Sequence, residues 1–86
     1  MILARVTGEV VASQKHPSHE GLKLLRVQPE NSSTPQHLIA MDAVGAGIGE
    51  RVIVVQDGFA AMTAVNRPQS PIDCAVIGIV DSTNEI

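Results

Sequence analysis

The run Asp42-Ala43-Val44-Gly45-Ala46-Gly47-Ile48-Gly49-Glu50-Arg51-Val52-Ile53-Val54-Val55 sets three glycines at alternate positions ahead of four consecutive β-branched residues. Glycine reaches backbone angles that clash for other residues and lets another backbone come close. Such a run, leading into β-branched residues, reads as a tight loop feeding a buried strand. The sharper alternative for Gly45-x-Gly47-x-Gly49 is a phosphate loop. That reading fails because no Lys-Ser/Thr pair follows and the next element is strand-like, not a helix whose N-terminus could hold an anion.

A second apolar strand runs from Cys74 to Val80. Upstream, Ile2 to Ser13 reads as one long strand bent at Gly8, since a strand glycine often marks a bulge or a corner. A bent strand can serve two sides of a barrel. Leu22 to Val27 is a second strand, although Leu24 and Leu25 break its alternation. His37 to Met41 is a short third strand, and Arg51 to Val55 is the fourth. The segments Gln14 to Gly21, Gln28 to Gln36 and Arg67 to Ile72 carry the prolines and polar residues of surface loops. Between Gln56 and Asn66 a short helix is expected, capped by Asp57 and ended before Pro68. Five strands and one helix after the fourth strand describe a mostly β fold, a small closed or nearly closed barrel.

The 86 residues fit a single domain, residues 1–86. A domain this small buries less of its chain than a large one, so stability is expected to lean on oligomerisation. Phe59 is the only aromatic residue, and the core must be aliphatic. Base stacking and aromatic cages therefore have no platform. Six basic against nine acidic residues leave a net charge of -3. A phosphate backbone gains little from such a surface, so nucleic acid is not an expected partner. Cys74 is a lone cysteine and forms no internal disulfide. Arg5 and Glu9 in the opening stretch argue against a signal peptide. No apolar run approaches the ~20 residues of a membrane helix. A soluble intracellular protein is the expectation, with no membrane partner.

Residues able to do chemistry are few. Asp42, Asp57, Asp73 and Asp81 sit mostly where aspartate caps or turns the chain. His16, His19, His37 and Cys74 lack the tight spacing of a structural zinc site. No nucleophile elbow of the Gly-x-Ser-x-Gly kind occurs. The residues point to a scaffold element with no catalytic site, no metal and no cofactor.

Several segments resemble the CcmL/EutN family, the vertex proteins of bacterial microcompartment shells such as the carboxysome. The opening Ala4-Arg5-Val6-Thr7-Gly8-Glu9-Val10-Val11-Ala12-Ser13 is similar to the family's first strand. Lys15 and Gly21-Leu22-Lys23-Leu24-Leu25 resemble its loop and second strand. Asp42 to Glu50 resembles its central signature, and Ser70-Pro71-Ile72-Asp73 with Ile77-Gly78-Ile79-Val80-Asp81 its closing motif. The order is kept along nearly the whole chain. The resemblance implies an OB-like barrel that assembles as a cyclic homopentamer and closes the vertices of a cytoplasmic shell tiled by hexameric shell proteins. Relatives often carry Gly-Ser-Ser-Ala-Arg after the fourth strand, where this chain has Asp57-Gly58-Phe59-Ala60-Ala61-Met62. Phe59 and Met62, three apart on a short helix, are expected on a shared face, either a local core or the subunit interface. Gly45, Gly47 and Gly49 are expected in a structural turn or in close subunit approach near the ring axis, as candidate pore or subunit-interface positions. A bulky β-branched residue at Gly47 is expected to break the loop or the ring. The alternatives are an OB-fold binding module for nucleic acid or another protein, and a small metal-binding protein.

Overall fold

The computed structural model describes residues 1–11, 22–30, 36–66 and 72–81. Among these residues the order is β1 (Ile2–Val10), β2 (Leu24–Pro29), β3 (Leu38–Asp42), β4 (Arg51–Val55), α1 (Gly58–Ala64) and β5 (Ala75–Ile79). The strands close into a barrel in the order β1-β2-β3-β5-β4. Four neighbouring pairs are antiparallel, and β3 with β5 is parallel, pairing Met41 with Ala75 and Asp42 with Val76. This is the small OB-like barrel that the resemblance implies, with its helix after the fourth strand.

β1 is the strand that makes closure possible. Its first half pairs with β4 from Ile2↔Val54 to Arg5↔Arg51, while β2 pairs along it from Ala4 to Val10. The register with β2 shifts between Val6 and Gly8, so Thr7 is the extra residue of a bulge. A bulge bends a strand and raises its twist, which lets one strand border two sheets. The expected bend is therefore present, one residue earlier in its effect than Gly8 itself. The strand ends at Val10, short of the expected Ser13, and Val11 is 90 % exposed. The expected bounds of β4 are those observed, while β2 and β3 begin two residues and one residue later than their expected starts.

The apolar residues divide by the period of two that strands impose. Val6, Leu25, Val27, Val52, Val54 and Val76 are fully buried inside the barrel. Each such side chain contributes about 1.5–3 kcal/mol through burial. A second cluster, on the opposite face of the sheet, holds Met41, Val55 and Ala75 with Ala61 and Val65 of the helical segment. Adjacent residues thus serve different cores: Leu25 and Leu24, Ala40 and Met41, Val54 and Val55, Val76 and Ala75. Leu24 breaks the alternation of β2 because it packs against the second cluster.

The helix forms for local reasons. Asp57 has an extended backbone (φ -95, ψ 127), and its side chain accepts a hydrogen bond from the Ala60 amide at 3.0 Å. That is an N-cap. The helix runs seven residues and stops where Asn66 takes a left-handed φ of 57, with its amide donating to Thr63 O. Asparagine tolerates that conformation better than most residues.

Candidate subunit-contact surface

The glycine loop between β3 and β4 is held from three sides. Asp42, whose side chain is 3 % exposed, accepts hydrogen bonds from the amides of Val44 and Gly45, both at 3.1 Å to Oδ1. This local turn is the ordinary work of an aspartate side chain. Its Oδ2 lies 3.6 Å from Lys23 Nζ, and that ammonium donates to the Ala46 carbonyl at 2.7 Å. On the far side, Glu50 Oε1 accepts from the Gly47 amide at 2.6 Å. Arg5 Nη1 donates to the Gly49 carbonyl at 2.7 Å, and the Gly49 amide donates to Val6 O at 2.9 Å. Among the described residues no buried side-chain polar atom lacks a partner.

The loop therefore has a fixed shape, and the glycines in it differ. Gly45 has φ +79 and Gly49 has φ +90, backbone angles that other residues reach at a cost. Gly47 has no positive φ; a Cβ there meets Glu50 Oε1 at 3.4 Å. The strain expected at Gly47 belongs to its two neighbours. Between them Ala46 is fully buried in the barrel cluster, while Ile48 is 70 % and Val44 41 % exposed. The loop tucks one methyl group inward and presents two branched apolar side chains outward.

On α1 the expected shared face of Phe59 and Met62 divides: Met62 packs against the second cluster, and Phe59 does not. Ala61 and Val65 are the buried pair. At about 100° per residue Phe59 falls roughly 160° from Ala61, and Met62 roughly 100° from it. Accordingly Met62 packs partly against the second cluster, whereas Phe59 is 75 % exposed. A core reading of Phe59 is overturned by that geometry. The structure leaves Phe59 on α1, and Ile48 and Val44 in the glycine loop, as exposed apolar side chains.

Two charged groups on the barrel's outside bind one another. Arg51 donates to both Glu30 oxygens at 2.7 Å, and this holds the Glu30 carboxyl below its ordinary range. Burial, and then the Asp73 charge, push the Cys74 thiol up. His37 Nδ1 lies 3.5 Å from Thr7 Oγ1, and Thr7 also accepts from Arg26 Nε at 3.2 Å. Asp42 and Asp57 serve the backbone, as expected of capping aspartates. Among the described residues no three His, Cys, Asp or Glu side chains gather as a metal site. No described helix is long and apolar enough to cross a membrane. His16 and His19 lie outside the described residues. Sequence reasoning missed that Lys23, Ala46 and Glu50 hold the loop; Glu50 closes it, whereas Lys23 reaches it from the residue before β2.

Comparison with known proteins places these features in a family. Residues 1–81 match the family described as "Ethanolamine utilisation protein EutN/carboxysome". The chain is 44 % identical over 89 residues to the bacterial microcompartment shell vertex protein PduN of Salmonella typhimurium, covering 95 % of this chain and 97 % of that protein. The solved structure of CcmL from Gloeobacter violaceus superposes with a TM-score of 0.87 at 40 % identity, covering 99 % of this chain and 90 % of the other. The GrpN pentameric microcompartment shell protein from Rhodospirillum rubrum superposes with a TM-score of 0.84 at 38 % identity, covering all of both chains. With the barrel topology, the family match and full-length relatives in agreement, the chain belongs to the EutN/CcmL family of bacterial microcompartment shell vertex proteins.

Proposed function

We propose that five copies of this chain close into a ring that caps a vertex of a polyhedral shell in the cytoplasm. Hexameric shell proteins of the same compartment tile the facets around it. Hexagonal tiling alone is flat, and fivefold points supply the curvature that closes a shell. A contact between two different patches on neighbouring copies closes into a ring when its rotation allows.

The observation that carries the reading is the full-length likeness to a pentameric shell protein at 38 % identity. The surface is consistent with it. Gly45, Gly47 and Gly49 lie in a rigid loop that carries the exposed Ile48, and Phe59 and Met62 lie on α1. These are the residues proposed to meet a neighbour or to border the opening on the ring axis. A loop already held in shape loses little freedom on docking. The chain works as a structural element and carries out no reaction.

Native mass spectrometry of the full chain at micromolar concentration tests the reading. A fivefold mass is expected. A monomer, or a ring of another symmetry, overturns it.

A further inference from the structure

We infer that the outer face of β4, β1 and β2 is a docking surface for an acidic protein segment that presents several carboxylates in a row. The surface is complete in one copy, so it stands apart from the ring proposed above.

The strand register puts the cations together. Arg5 on β1 pairs with Arg51 on β4 to one side and with Gln28 on β2 to the other. Arg26 lies two residues from Gln28 on the same strand and therefore shares its face. The residues between them, Ala4, Val6, Val27 and Val52, are buried inside the barrel, so this face is the outer one. Arg5 and Arg26 are exposed, and the Arg51 side chain is partly so. Of the 6 Lys and Arg residues in a chain of net charge -3, Arg5, Arg26 and Arg51 thus stand on adjacent strands. Glu30 answers them as the carboxylate bound to Arg51. Glu9, the other acid on β1, pairs with the inward Leu25 and so belongs to the opposite face. Among the described residues the ion pairs are Lys23–Asp42 and Arg51–Glu30, and neither takes in Arg5 or Arg26.

The guanidinium groups of Arg5 and Arg26 are held before any partner arrives. Arg5 Nη1 donates to the Gly49 carbonyl at 2.7 Å. Arg26 Nε donates to Thr7 Oγ1 at 3.2 Å, and the group lies over Gly8, where a Cβ would stand 3.5 Å from Nη2. The bulge at Thr7 thus aims Arg26, a common use of a bulge. Side chains already anchored lose little freedom on binding.

Charge and geometry select carboxylates. A guanidinium grips a carboxylate through two parallel hydrogen bonds. The face already does so once, since Arg51 donates to both Glu30 oxygens at 2.7 Å. Neighbouring strands lie ~4.8 Å apart, so the cations spread over about 10 Å, too far for one carboxylate to bridge. A segment carrying several bridges them. Nucleic acid fits less well, because its bases find no aromatic platform: Phe59, the chain's one aromatic residue, lies on α1.

The test titrates the full chain into fluorescently labelled hexaglutamate at low salt and reads anisotropy, with hexaglutamine and a single-stranded hexanucleotide as comparison probes. Saturable binding of hexaglutamate is expected, with none of hexaglutamine, and added salt weakens it. Arg5→Gln with Arg26→Gln is expected to weaken it by about tenfold, the effect of losing two exposed ion pairs. Glu30→Gln is expected to tighten it more than Asp57→Asn does. Each removes one negative charge, but Asp57 lies beyond β4, and asparagine still caps a helix. Parental binding by the double variant, or equal effects of Glu30→Gln and Asp57→Asn, overturns the assignment of this face. Tighter binding of the hexanucleotide overturns the choice of carboxylates. If the parent binds no hexaglutamate and the double variant lowers the oligomer's mass, a neighbouring copy covers the face and no acidic segment docks there. A fivefold mass of the parent stands or falls separately from all of these.

Discussion

Lys23 Nζ holds the carbonyl oxygen of Ala46 at 2.7 Å, across 23 residues of chain. The same ammonium lies 3.6 Å from the buried carboxylate of Asp42. One cation at the foot of β2 thus fixes both the start and the middle of the glycine loop. Ala46 is held in the barrel cluster from the inside by its methyl group and from the outside by its carbonyl.

The first prediction separates the two partners. Asp42→Ala removes the buried carboxylate that accepts from two amides of exposed residues. Those amides can turn to water, so what is lost is hydrogen bonding to a charged group, about 1.5–3 kcal/mol. Lys23→Met loses a half-exposed ammonium and is expected to cost about 1 kcal/mol or less. Urea unfolding at one fixed protomer concentration measures both, since linkage to assembly otherwise shifts the midpoint. An Asp42→Ala midpoint equal to that of the parent would show that the loop is held by something else.

The second concerns the glycines. An alanine Cβ at Gly49 meets nothing within 4 Å, so any loss there comes from the backbone alone. A left-handed φ costs a residue with a Cβ about 1–2 kcal/mol. Gly47→Ala keeps an ordinary φ and asks only that the end of the Glu50 side chain give way slightly. Gly49→Ala is therefore expected to melt lower than Gly47→Ala. The reverse order, measured by thermal denaturation, refutes the assignment of strain.

The sequence-to-structure relationship explains which features were legible. β4 could be read to the residue because four consecutive β-branched residues follow the glycine loop and three of them are buried. Leu24-Leu25 looked irregular only because one covered face was assumed. The dyads Ala40-Met41, Val54-Val55 and Ala75-Val76 repeat that signal on three more strands, and together they report the second cluster under α1. Asp57 was readable as a cap because capping is local. Ala46 was not, since an alanine between glycines carries no pattern, and the Lys23 that bonds its carbonyl lies far along the chain. The face shown by Phe59 was equally hidden: a helix of two turns has too little periodicity to say which side is inward.

The third prediction uses the thiol. Burial, with the Asp73 charge beside it, keeps Cys74 protonated to higher pH than an ordinary cysteine. The thiolate is the reactive form. Iodoacetamide at pH 8 is expected to label the folded protein more slowly than free cysteine, and Asp73→Asn is expected to label faster than the parent. The linkage follows the same sign. A raised folded-state value favours the neutral form, so the contribution to stability is complete below the unfolded thiol's range and fades as pH rises through the folded one. Equal labelling rates for parent and Asp73→Asn would remove the electrostatic part of the argument.

The fourth prediction concerns the outer face of the sheet. Arg5 and Arg51 are direct cross-strand neighbours on β1 and β4, an arrangement that repels. Arg5 is drawn toward the Gly49 carbonyl, and Arg51 donates two hydrogen bonds to Glu30. A bidentate guanidinium–carboxylate pair favours the ionised acid. The lowered Glu30 value places its contribution to stability above the ordinary carboxylate range, and that contribution is lost as pH falls through the lowered one. Arg51→Met is expected to return the Glu30 carboxyl to the ordinary range. Glu30 is followed as a carboxyl carbon titration by NMR. Added salt is expected to raise the parent's Glu30 value, because an exposed pair is screened. A Glu30 titration that ignores both Arg51→Met and salt would mean that the two groups are neighbours in space without acting on one another. The Arg5–Arg51 repulsion would then be relieved by solvent alone.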